Sequence, residues 1–322
     1  MNDKTSQKII LLILLAFLWG ASYLFTKVTV NDIPMVTYAL GRTFVGGLIL
    51  WAILHLKNQK LPRWGRIWIH ISVMGIIHVS IPYILVALGS ATLDSGLAAM
   101  ITSTAPLFTI ILAHMLVADD RLTHAKLVGV LVALGGMFFL LSPSFDGGLK
   151  VGFVGALAVL GASVGYAIGN VYTHKYLRGL PSLVGPTAQL IVATAVLLPI
   201  SLVFERPHQL PLPTSASLLA WIAAAVLSTA LAFIIFYRLL EIASPTYVGM
   251  VSYLIPIVGA LLGLVVLGEQ LSRSTYIGFS IILSGVMIAN GLAVPKFDNV
   301  LSYPVHKLKV VTGLLASTGD TL

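Results

Sequence analysis

Of 322 residues, 58% are hydrophobic and only 9% are charged, with 19 Lys and Arg against 11 Asp and Glu; the mean hydropathy is +0.99. A soluble domain carries roughly 25% charged residues, so this chain cannot cover a water-facing surface and is excluded from the soluble globular class. The net charge of +8 is read as loop topology signals, not a nucleic-acid surface, and the lack of cysteine excludes disulfides and thiolate metal sites.

Apolar stretches long enough to cross a bilayer, about 17–25 residues each, are predicted at 8–30, 34–56, 67–89, 93–117, 125–142, 151–177, 183–204, 215–240, 245–268 and 274–293. The first follows Lys4 and Lys8 as a signal peptide would. It runs on to Val30 and is followed by more spans, so it is read as a retained helix. Short polar turns join the spans, among them Lys57–Arg66, Asp119–His124 and Glu205–Thr214. No segment shows the ten-residue alternation of a barrel strand. The expected fold is an all-α polytopic membrane protein of ten transmembrane helices.

Orientation follows from the loop cations. With the N-terminus inside, fourteen Lys and Arg fall on the inner side and four (Lys27, Lys150, Arg206, Arg273) on the outer; Arg42 alone lies within a span. This asymmetry places both termini in the cytoplasm. The tail, 294–322, is too polar to span and is expected to be solvated and cytoplasmic. A weak surface association of Val305–Leu315 is the alternative.

The chain also resembles itself. Met100, Pro106 and Asp119 recur 150 positions later as Met250, Pro256 and Glu269. Leu122, Gly129 and Gly136 recur 149 positions later as Leu271, Gly278 and Gly285. Trp19, Tyr23 and Lys27 align with Tyr166, Asn170 and His174 at an offset of 147. Five spans per copy is an odd number, so the second copy enters the membrane from the opposite side. Two inverted repeats, 8–142 and 151–293, are the expected units, an arrangement suited to alternating access.

Leu18-Trp19-Gly20-Ala21-Ser22 with Lys27, Arg42 in the second span, and Gly96-Leu97-Ala98-Ala99 leading to Ser103-Thr104-Ala105-Pro106-Leu107 together resemble EamA-type members of the drug/metabolite transporter superfamily. The second copy repeats the pattern as Ser252-Tyr253-Leu254-Ile255-Pro256, Gly268-Glu269-Gln270-Leu271, Gly278 and Gly285. The likeness covers about residues 8–293. It departs at Asp119-Asp120, where the family usually has one Glu, and at Tyr166, where Trp is usual. The resemblance implies a carrier of small organic metabolites, most often an exporter of amino acids or related compounds, with its cavity between the repeats. It further implies a bacterial inner membrane location, a small-molecule substrate, no cofactor and no nucleic-acid partner; a monomer is expected.

Candidate site residues follow from position. Trp19, Tyr23 and Lys27 share one helix face at i, i+4 and i+8, as do Tyr166, Asn170 and His174. If these helices line the path, the rings offer stacking surface and Asn170 a directional hydrogen bond; helix packing is the plainer alternative. Arg42 is expensive in a span and must face a cavity or a partner, or serve as a structural Arg on backbone carbonyls. His78 and Tyr253 complete the expected substrate-binding set, while His114 is read as structural. Pro106 and Pro256, each lacking an N–H, are the expected hinge or gate.

Asp119 and Glu269 are read as turn-capping acids and Arg238–Glu241 as a surface ion pair. Asp94 is the one acid placed to sense an entering cation or proton. Gly161, Gly165 and Gly169 form a ridge for close helix contact.

Two rival readings are an intramembrane hydrolase and a non-transporting scaffold or receptor. Gly161-Ala162-Ser163-Val164-Gly165 matches the G-x-S-x-G pattern, but a nucleophile elbow needs a strand-to-helix turn. No H-E-x-x-H, P-loop or histidine pair at i, i+4 occurs, so metal and nucleotide sites have no support and the chain is not read as an enzyme. With no Asp or Glu deep in a span, either facilitated diffusion or a histidine-based proton link is expected.

Overall fold

The computed structural model describes residues 3–116, 123–141, 151–177 and 179–291. Among these residues the chain is helical between short connections and contains no strand. Hydrocarbon offers the backbone no hydrogen bonds, so each segment satisfies its own as a helix. The rods are α1 (Asp3–Thr29), α2 (Met35–Leu56), α3 (Arg66–Thr92), α4 (Ser95–Leu116), α5 (His124–Leu141), α6 (Val151–Tyr176), α7 (Val184–Glu205), α8 (Ser215–Ile242), α9 (Pro245–Leu267) and α10 (Arg273–Ala289). Nine are long and apolar enough to cross a membrane. The last, α10, is an apolar helix of 17 residues, about 25 Å long at 1.5 Å per residue. The chain is an integral membrane protein of the all-α class. The tail 294–322 and the Asp119–Asp120 pair lie outside the described residues.

Several rods are not the unbroken α-helices expected from hydropathy. The α4 helix stops at Thr102 and restarts at Ala105, just before Pro106. A proline two residues into the new segment removes no bond that the break has not already removed. The Ser103 and Thr104 hydroxyls donate to the carbonyls of Met100 (2.6 Å) and Ile101 (2.7 Å) at the same place. In α9 the break falls at Met250, and Pro256 sits inside the Val251–Leu267 segment. The two prolines therefore occupy different local geometries. Both α3 and α8 contain a π-helical turn, Gly75–Ser80 and Val226–Leu231, and the second begins and ends 151 positions after the first. A third π-turn, Ser201–Glu205, closes α7.

Packing is closest where side chains are smallest. The repeated glycines face each other. A Cβ on Gly129 would lie 2.4 Å from the Gly285 carbonyl oxygen, and one on Gly278 would lie 2.4 Å from Leu140 N. Helices α5 and α10 thus meet backbone to backbone, as small residues permit in membranes. The glycine ridge of α6 packs on α3: Gly165 lies against Pro82 and Gly169 against His78. Large apolar residues such as Leu131, Phe138, Leu261, Val265 and Ile277 stay exposed on α5, α9 and α10, where hydrocarbon is the solvent.

Four connections, α1–α2, α3–α4, α7–α8 and α9–α10, meet at one end of the bundle, joined there by carboxylates. Glu205 accepts from Val36 N (2.9 Å), Thr37 N (2.6 Å) and Thr37 Oγ1 (2.7 Å), capping α2, whose own N-cap residue, Pro34, has no side chain for the task. Glu269 accepts from Ser95 N (2.7 Å), Ser95 Oγ (2.9 Å) and Gly96 N (3.1 Å), capping α4. Asp32 accepts from the N–H (3.0 Å) and hydroxyl (2.5 Å) of Thr214, the residue that caps α8. All three carboxylates tie the first five helices to the last five. Negative charge is favoured at helix N-termini, and bonds from N–H to an ionised carboxylate are short and strong. Glu269 is a cap, as expected, but of a helix 173 residues away in sequence.

Candidate functional site

The mid-bundle polar cluster grows from α2. Tyr38 and Arg42 stand one helical turn apart, and the Arg42 Nη1 donates to the Tyr38 hydroxyl at 3.1 Å. Arg42 Nε donates to Thr229 Oγ1 at 2.8 Å, and Nη2 reaches the Ser228 carbonyl at 3.5 Å; both acceptors lie in the π-turn of α8. The guanidinium also lies 4.2 Å from the Tyr83 ring centroid, a cation–π arrangement. The Tyr38 hydroxyl is shared with Thr26 at 2.6 Å, tying α1 to the same network. Arg42 is 6% exposed, and no carboxylate with a described side chain contacts it. All its partners are neutral.

Tyr166 links this network to the α3 π-turn. It packs against the core cluster that holds Tyr23, and His78 meets its ring edge-on with centroids 5.7 Å apart. His78 lies in the α3 π-turn and has Gln189 of α7 as its polar neighbour. Its Nδ1 is buried without a hydrogen-bond partner. A buried unpaired nitrogen costs about 1–3 kcal/mol and calls for an explanation.

Of the residues expected at the site, Tyr23, Arg42, His78 and Tyr166 come together. Tyr253 packs at the margin of the same core cluster as Tyr23 and Tyr166, and Asn290 donates to its hydroxyl at 2.9 Å. Trp19 sits in a different cluster, on α8 and α9, with Phe236 at 5.4 Å between ring centroids. Asn170 is exposed, and His114 lies on the exposed last turn of α4. Residues overlooked in the sequence are Tyr38, Tyr83, Gln189 and Thr229. Tyr38 was detectable as the i−4 neighbour of Arg42, and Gln189 as its counterpart 147 positions on. The Ser163 hydroxyl donates to Val159 O (3.1 Å) and Ile101 O (3.3 Å), which is a helix-packing role.

At the carboxylate-tied end, a cavity of about 510 Å³ lies beside Glu269, with Lys27, Asn31, Asp94 and Gln270 on its wall. Lys27 Nζ donates to the Leu93 carbonyl at 2.8 Å. Because Glu269 holds the start of α4, Asp94, at the N-cap, makes no cap bond of its own. Burial first, and then the neighbouring Glu269 carboxylate, hold the Asp94 carboxyl above its ordinary range, with Lys27 opposing. The Thr214 and Ser217 hydrogen bonds hold Asp32 below it. Arg238 and Glu241 form the expected surface pair at 2.9 Å, both half-exposed.

The profile of the EamA-like transporter family matches residues 6–142 and again 153–291. The chain belongs to the EamA-like transporter family. Its EamA-like relatives include the "Uncharacterized inner membrane transporter YedA" of Escherichia coli strain K12, 26% identical over 85% of this chain and 87% of the relative. Protein PecM of Dickeya dadantii is 26% identical over 85% of this chain and 89% of its own length. A "Probable amino-acid metabolite efflux pump" of Salmonella typhimurium is 24% identical over 94% and 98%. A crystal structure of a protein 20% identical in sequence shares the fold, with a TM-score of 0.62 over 89% of this chain and 98% of that one. Membership in this family makes the protein a membrane transporter.

Proposed function

We propose that the chain is a secondary transporter of small organic metabolites, an exporter of amino acids or related compounds. It works by alternating access between inverted five-helix repeats at 8–142 and 151–293. The observation that carries this reading is Arg42, a permanent cation buried mid-span among neutral hydroxyls and rings. A charge so placed is costly and marks a solute path; a solute carboxylate would balance it through paired N–H bonds. Tyr23 and Tyr166 then supply ring faces for the solute body, and His78 Nδ1 is free to meet a donor such as an amino group. Tyr253, Trp19 and Asn170 line the approach, and Pro106 and Pro256 allow α4 and α9 to bend.

The family relative named for amino-acid metabolite efflux, matching nearly end to end, agrees with this substrate class. The loop cations orient both termini to the cytoplasm of a bacterial inner membrane, making the carboxylate-tied end the outer one. The test is solute flux in proteoliposomes with wild-type protein and Arg42→Gln. Flux of carboxylate-bearing solutes that vanishes in the variant supports the reading; a variant with undiminished flux refutes it. Repeating the measurement with and without an imposed pH gradient separates facilitated diffusion from proton coupling.

A further inference from the structure

The connection between α2 and α3 carries Lys57, Lys60, Arg63 and Arg66, and all four are exposed. No Asp or Glu occurs from position 33 to 93, nor from 147 to 204, so neither this connection nor the adjoining end of α6 has an acid of its own. Among the described residues no hydrogen bond or ion pair engages these four side chains, whereas Arg238, at the same end of the bundle, is paired with Glu241. The acids that join helices, Asp32, Glu205 and Glu269, gather at the opposite end.

The connection is anchored to the bundle. Trp68 Nε1 donates to the Pro62 carbonyl at 3.1 Å, and the Trp68 ring packs with Ile71, Met74 and Leu177. Leu61 packs against the same cluster and against Leu54 and Leu183. On this footing Trp64 stacks on Trp68, with ring centroids 4.5 Å apart, and is itself 86% exposed. Exposed apolar groups flank it on both helices, Leu56 at the end of α2 and Ile69 in α3. On α6, Tyr176 stacks on His70 of α3 at 4.8 Å and is also exposed, with Lys175 over its ring. An exposed indole at the end of a span belongs at the membrane interface, its apolar body towards the acyl chains and its N–H towards the headgroups. Lys and Arg stems lie along apolar surface while their charged ends reach the headgroup level.

We propose that the α2–α3 connection is a docking surface for acidic phospholipid, with Lys60, Arg63 and Arg66 meeting the headgroup phosphates and Trp64 lying against the upper acyl chains. Charge decides the occupant: unpaired cations with no acid among them favour an anionic headgroup over a neutral one, and a cluster of four beside a span is enough to retain acidic lipid. The apolar flank separates a lipid from a soluble anion, which gains nothing from Leu56, Trp64 or Ile69. Lipid docking and solute flux are separate properties, so either can fail without the other.

The test is native mass spectrometry of the detergent-purified full chain, titrated with phosphatidylglycerol or with phosphatidylcholine of the same acyl chains. Each cation near an acidic lipid surface is worth about fivefold in affinity, so phosphatidylglycerol is expected to bind at least about tenfold more tightly. The triple variant Lys60→Gln, Arg63→Gln, Arg66→Gln should bring the two lipids to within about threefold of each other. Arg206→Gln with Arg273→Gln, which removes cations from the carboxylate-tied end, should keep the preference. Glycerol phosphate, which carries the charge without the chains, should not displace the lipid. Should the triple variant fail to fold, Lys60→Gln alone is expected to lose about fivefold in phosphatidylglycerol affinity. Equal binding of the two lipids by wild type overturns the proposal and leaves the connection to topology or to an acidic protein partner. A preference that survives the triple variant overturns it by placing the lipid elsewhere, and displacement by glycerol phosphate overturns it in favour of a soluble anion.

Discussion

Replacing Thr229 by valine keeps the side-chain shape and deletes the acceptor of the Arg42 Nε–H bond, made at 2.8 Å. The same hydroxyl donates to the Ala224 carbonyl at 3.0 Å, so that bond is lost too. A hydrogen bond to a charged group contributes about 1.5–3 kcal/mol in proteins generally, whereas pairs measured inside a membrane protein average about 0.6 and reach about 1.7 kcal/mol. Arg42 is 6% exposed, so water cannot replace the lost partner. The upper part of the membrane range therefore applies, about 1.5 kcal/mol for Thr229→Val. At roughly 2–4 °C per kcal/mol for a mid-sized chain, Tm should fall by about 3–6 °C. A double-mutant cycle with Arg42→Leu, followed by thermal unfolding in detergent, isolates the pair. The expected coupling is about 1 kcal/mol or more, since the valine costs little once the guanidinium is gone. Strict additivity would refute the claim that Thr229 is a partner of Arg42.

Further expectations follow from the same geometry. Gly278→Ala places a Cβ 2.4 Å from Leu140 N, and overpacking of this kind costs about 1–3 kcal/mol; Gly135→Ala meets open space and should leave the melting temperature unchanged. Gly169→Ala drives a Cβ to within 2.2 Å of His78 Cδ2. If His78 meets solute, the substitution should raise KM severalfold while the folded yield holds, measured as flux against solute concentration.

The two acids at the carboxylate-tied end should respond to pH with opposite signs. The Asp94 carboxyl is held high by burial and Glu269, so the fold loses stability as pH rises through its folded-state value, and Asp94→Asn should gain on wild type as pH rises above the ordinary carboxyl range. Asp32 is held low by Thr214 and Ser217. Its contribution is present above the ordinary carboxyl range and lost as pH falls through the lowered value, so the deficit of Asp32→Asn should close on acidification. Melting curves of the three proteins across pH would expose a wrong sign directly.

Hydropathy carried most of the fold, because span length and apolar content follow from bilayer thickness alone. The glycine repeats at 129, 136, 278 and 285 were visible as sequence echoes. That they touch one another required coordinates, since spacing shows which residues match but not which helices meet. Arg42 stood out because a lone cation within a span is costly. Thr229 did not, since a threonine in a span draws attention only once its partner is known. The π-turns were invisible for a different reason. They add a residue to a turn without changing the apolar content of the span, and hydropathy cannot see them. Glu205 read as one more polar loop residue because its bond partners lie 168 and 169 residues away.

The most direct test is flux through purified protein in liposomes loaded with a broad panel of amino acids and related metabolites. The expected result is time-dependent efflux of at least one carboxylate-bearing solute. Efflux should be abolished in Arg42→Gln and sharply reduced in Tyr166→Ala, with both variants still folded. No flux of any solute, or full flux in Arg42→Gln, would contradict a solute site built on Arg42 and Tyr166.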